Sequence, residues 1–119
     1  MTYSTLKIIH LIGLGLTFMG LSGILGIKVA GEATFKKRLI FHFSHGVGLL
    51  LLLLSGIGLA KTLGIHDAPG WLKGKMVIWL VAGGAMALAT RLSRFAGAVL
   101  IFYILLVGMA AWLAIDKPF

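Results

Sequence analysis

Four long apolar runs, joined by links too short to form structure of their own, leave this chain few ways to fold. They cover about residues 4–27, 39–60, 71–90 and 95–115, and each is close to the roughly 20 apolar residues that a helix needs to cross a hydrocarbon core. Backbone amides in lipid must be satisfied within their own segment, and leucine-rich runs lack the alternation of barrel strands, so the expected class is all-α. The links GIKVAGEATFKKR, KTLGIHDAPG and RLSR are short enough to make sequential helices antiparallel neighbours. The predicted architecture is one domain over residues 1–119, an integral membrane antiparallel four-helix bundle. The first run followed by AGEA has the outline of a secretory signal. Its apolar stretch exceeds a usual signal core, and it is read as a retained span.

Composition points the same way: 60% of the 119 residues are hydrophobic and 12% charged, far from the balance of an ordinary soluble domain. The absence of cysteine rules out disulfides, thiolate metal sites and cysteine nucleophiles. A net charge of +8 would suggest nucleic acid as the partner of a soluble chain. Here the basic residues stand at the ends of the runs, where they anchor to headgroups and set orientation, so the lipid bilayer is the expected partner and nucleic acid is not. With four spans both termini share one side, which carries Lys7, Lys61, Lys73, Lys75 and Lys117. The other side carries Lys28, Lys36, Lys37, Arg38, Arg91 and Arg94. The tight KKR cluster and the RLSR link favour a cytoplasmic location for that second set. In a bacterial inner membrane this would leave the termini and the HDAPGW loop periplasmic.

Ionisable side chains are costly inside a membrane and count as functional candidates by default; here they are His10, His42, His45 and Lys75. At 100° per residue, His10, Gly13, Thr17 and Gly20 share one small, polar stripe of the first helix, which should face the bundle interior. His42, His45, Leu49 and Gly56 share a face of the second helix, and Lys75, Trp79, Ala82 and Met86 form a comparable stripe on the third. His10 and Lys75 enter from the same side and could meet, whereas His42 and His45 enter from the other. At 1.5 Å per residue, His10 and His45 are separated axially by roughly 10–15 Å, which is awkward for two ligands of one haem iron. One axial histidine, or His42 or His45 ligating near the opposite surface, is the alternative. A metal held by His42 and His45 directly would lack a carboxylate or thiolate to complete its shell. Gly13, Gly20, Gly23 and Gly26, with Gly97, Gly108 and Ala111, supply small surfaces for close helix approach, expected mainly within the chain.

The segments LKIIHLIGLGLTFMG, HFSHGVGLLLLLLSGIG and WLKGKMVIWLVAGG together resemble the layout of a group of small bacterial membrane bundles. The group comprises SirB-type proteins, CopD-type copper-resistance domains and the four-helix membrane protoporphyrinogen oxidases, and the chain also resembles a short set ending in KPF. In that layout a histidine sits early in the first span, another early in the second, and W-x-x-x-K opens the third; His10, His45, and Trp71 with Lys75 match. The resemblance implies haem b in the bundle, with the iron held through His10 or His45, and Lys75 available to a propionate. The chain departs from the oxidase pattern in having no histidine in the third and fourth spans, where the phenol of Tyr103 is the main mid-span polar group.

Three functional readings follow. One is a haem-binding protein with a redox-linked or haem-related role. Another is a non-catalytic accessory or structural subunit of a larger membrane complex. The third is an oligomeric small transporter or channel, which a chain without an intramembrane carboxylate is poorly equipped to be. No serine or histidine pair stands beside an orienting acid and no glycine-rich loop precedes a lysine and hydroxyl, so enzymatic hydrolysis is not expected.

Overall fold

The computed structural model describes residues 2–118, so Phe119 of the KPF ending lies outside the described residues. Among these residues the regular structure is helical. Helix α1 covers Tyr3–Val29, α2 Phe35–Thr62, α3 Gly70–Gly84, α4 Met86–Arg91 and α5 Ala96–Asp116, with a 3-10 turn at Ser93–Phe95. Four stretches are long and apolar enough to cross a membrane: Tyr3–Val29, Phe35–Thr62, Gly70–Arg91 and Ser93–Asp116. The second starts four residues before the predicted 39. Thr34 caps it by accepting from the amide of Lys37, drawing the basic Phe35–Arg38 turn into the helix.

Helix ends follow from local chemistry. Thr2 caps α1 by accepting from the Thr5 amide. Both α1 and α2 end in glycine with positive φ, Gly31 at 72° and Gly64 at 70°. At these ends Glu32 N–H donates to Ile27 O and Ile65 N–H to Ala60 O, both six-residue closures that only a left-handed residue completes easily. The chain thus reverses sharply after each helix, and α1 and α2 form a long antiparallel pair. Leu6 lies against Gly58, His10 against Ser55, Thr17 against Gly48 and Gly20 against His45.

The third span is interrupted at Ala85. Its carbonyl accepts the buried phenol of Tyr103 at 3.0 Å, and a side chain bonded into the helical ladder is a recognised cause of such breaks. Around this point α1, α4 and α5 build the main core from Leu21, Ile24, Leu25, Met86, Ala89, Val99 and Tyr103. A second cluster of Ile78, Leu106 and Leu113 joins α3 to α5. Elongated at 48 × 27 × 17 Å, the molecule exposes Ile12, Met19, Ile40, Leu54, Leu80 and Ile104 on its flanks, as a bundle solvated by lipid requires.

Candidate functional site

The α1–α2 seam holds both candidate histidines, and glycine is what closes it. A Cβ at Gly20 would lie 2.6 Å from Phe41 O and 2.7 Å from the Cβ and N of His45. One at Gly13 would lie 3.0 Å from Gly48 O, Leu51 Cβ and Leu52 N, and one at Gly48 would collide with Thr17. Backbone therefore packs almost on backbone, as small residues allow in membrane helices. Across this contact Ser44 Oγ donates to Leu16 O at 2.8 Å, while Thr17 Oγ donates within its own helix to Gly13 O.

The hydrogen bonds assign the imidazole tautomers. Ser55 has one hydroxyl proton, directed to Leu51 O at 2.6 Å. Its contact of 2.8 Å with His10 Nδ1 must then be donated by the imidazole, leaving the lone pair on Nε2. His45 Nδ1 lies 3.1 Å from Thr17 O, and a carbonyl only accepts, so Nδ1 again carries the proton. The Nε2 atom of His45 is buried with no hydrogen-bond partner, in a side chain 6% exposed. An unsatisfied buried acceptor of this kind costs on the order of 1–3 kcal/mol.

His10 faces position 55 of α2, and His45 faces position 17 of α1. Seven residues along α1, or ten along α2, amount to about 10–15 Å of axial distance. Two imidazoles on one metal need their nitrogens only about 4 Å apart. The two histidines therefore belong to different levels of the seam, in agreement with the separation estimated from the sequence. His42 stands apart from both, lining a shallow hollow with Phe35, Arg38 and Leu39 at the start of α2. Among the described residues no three His, Cys, Asp or Glu side chains gather to hold a metal ion.

Lys75 is half-buried on α3. It shares an end of the bundle with Lys7, with Lys117 and with His10, which it does not hydrogen-bond. Ser55 was absent from the sequence-derived candidates, although it meets His10 directly. The available signal was a lone hydroxyl ten residues beyond His45 in an otherwise aliphatic run. Gly26, Gly97 and Gly108, expected to pack within the chain, instead look outward, since a Cβ at each meets nothing within 4 Å.

His45 is sealed between α1 and α2. The hollow between α1 and α5, lined by Phe18, Ser22, Leu100, Tyr103, Val107 and Gly108 among others, touches neither histidine nor Lys75. His10 has the right donor chemistry, with its Nδ1 proton held by Ser55.

Fold and seam together define a polytopic membrane protein, a four-helix bundle braced by intramembrane hydrogen bonds. Its relatives can be stated more closely. The chain belongs to the SirB family: the family model described as "Invasion gene expression up-regulator, SirB" matches residues 3–118. That match supports the SirB-type member of the group the sequence resembled. Comparison with curated proteins and with solved structures found no match.

Proposed function

We propose that this protein is a non-catalytic subunit of the bacterial inner membrane, with periplasmic termini, that acts by packing against another membrane-embedded chain. The observation that supports this is the use made of the polar groups inside the spans. His10, Ser44, His45, Trp79 and Tyr103 each hydrogen-bond a neighbouring helix, so they act as braces between helices. The outward glycines Gly26, Gly97 and Gly108 provide places where a further helix can approach closely. The family's description speaks of up-regulating invasion gene expression; on this reading such an effect passes through the membrane partner, because the links between helices are short.

The chain has no cysteine, so Gly108→Cys carries a photocrosslinker at one defined place. In native membranes it is expected to form a discrete cross-linked band, at doubled mass for a copy of itself and at another mass for a different subunit. Leu54→Cys, on the outward face of α2, should give none. Absence of a band at both Gly108 and Gly97 refutes the packing reading.

A second reading, haem b on one axial imidazole, draws on His10. Its Nδ1–H is already held by Ser55, as metal-ligating histidines require, and Lys75 is at the same end for a propionate. Oxidised and reduced absorption spectra of the purified protein separate the readings: a Soret band lost in His10→Ala but kept in His45→Ala supports haem, and a flat spectrum after expression with ample haem rejects it.

A further inference from the structure

Three lysines converge at the end of the bundle that carries the termini. Antiparallel packing of α3 and α5, seen where Gly74 meets Leu113, brings the end of α5 to the start of α3. There Lys117 Nζ lies 5.0 Å above the ring of Trp71. Lys75 is one turn further along α3, on the face of Trp71. From α1, Lys7 Nζ donates to Tyr3 Oη at 3.1 Å and lies 5.4 Å from the centre of the Tyr3 ring.

Among the described residues no carboxylate, Asp116 at the end of α5 included, lies within ion-pairing distance of these lysines. Among the described residues the one ion pair is Lys37 with Glu32, at the other end of the molecule. Lys75 makes no hydrogen bond to any described residue, although it is half-buried and lies about 7 Å inside the start of its span. Lysines at helix ends ordinarily extend to water. Three ammonium groups at one end of the bundle, one of them half-buried, repel one another less when an anion joins them.

We propose that this end binds the phosphate of an anionic phospholipid headgroup, held by Lys75 with Lys7 and Lys117 and rimmed by Trp71 and Tyr3. Tyr3 Oη accepts from Lys7, so its own proton is free to donate to a phosphate oxygen. The exposed side chains of Ile8 and Met76, next to Lys7 and Lys75, give the acyl chains an apolar surface beside the charge. Depth favours a lipid over a free anion, since the half-buried ammonium is at headgroup level below an interfacial tryptophan.

The test uses the intact protein, delipidated in mild detergent, with retained lipid counted by native mass spectrometry. Phosphatidylglycerol should be retained over phosphatidylcholine of the same chains by at least about fivefold, the weight of one lysine near an anionic surface. Lys75→Gln should erase the preference, Lys75→Arg should keep it, and Lys73→Gln, at an exposed neighbouring position, should leave it unchanged. Equal retention of the two lipids, or equal losses for Lys73→Gln and Lys75→Gln, overturns the proposal. Displacement of phosphatidylglycerol by millimolar inorganic phosphate reassigns the site to a free anion and overturns the lipid assignment; undiminished retention supports it. Should Lys75→Gln lose helical circular dichroism, Lys7→Gln asks the same question from an exposed position.

Discussion

Replacing Gly20 by alanine adds one methyl group at a point of the α1–α2 seam where backbone faces backbone. That carbon would lie 2.6–2.7 Å from Phe41 O and from the Cβ and N of His45, whereas comfortable carbon contacts need about 3.5 Å or more. All three obstacles are backbone atoms or the first side-chain carbon, so no rotamer change relieves them, and the helices must separate by close to 1 Å. Overpacking of this kind typically costs about 1–3 kcal/mol. Alanine's better helix propensity offsets up to about 1 kcal/mol, which leaves a net destabilisation of about 0–2 kcal/mol where that offset is realised in full. Gly26→Ala is the matched control: the same methyl group on the same helix meets nothing within 4 Å, so it should be neutral or slightly stabilising. Unfolding in mixed micelles, followed by the fluorescence of the chain's three tryptophans, reads the difference between the two variants. If Gly20→Ala and Gly26→Ala unfold together, the seam is not closed in the way described, and the arguments about the two histidines lose their basis.

Two further predictions concern single hydrogen bonds. Nitrogen-15 NMR of the imidazoles at neutral pH should show the Nδ1–H tautomer at both His10 and His45, and a protonated Nε2 on neutral His45 would refute the assignment. In Ser55→Ala the tautomer of His10 should become mixed while that of His45 stays unchanged. Tyr103→Phe removes the bond to Ala85 O and should cost about 0.5–1.5 kcal/mol in the same micellar unfolding assay; an unchanged midpoint would mean that the break at Ala85 does not depend on the phenol.

The candidate site was only partly legible in the chain. His10 and Thr17 were placed on one inward stripe by helical periodicity, and the seam contains both. His42 and His45 are three residues apart and were expected to share a face; yet His45 is sealed against α1, and His42 lines a hollow with Arg38 and Leu39. At the edge of a narrow contact, three residues of helical rotation decide between burial and exposure. Glycine shows the same limit: Gly20 and Gly26 look alike in sequence, but one touches backbone and the other faces outward.

Sequence alone determined that this chain forms four membrane-crossing helices joined by short links. Span length and the basic residues at helix ends act within a few residues of where they stand, against a solvent of known thickness. Tertiary structure decided the rest: that His10 meets Ser55 while His45 meets Thr17 O, and that His45 is sealed in the seam while His42 is not. The reason is that apolar helices have no strongly preferred partner face in lipid. Their rotation and register follow from which backbones can approach most closely, a property of pairs of helices that no single segment contains.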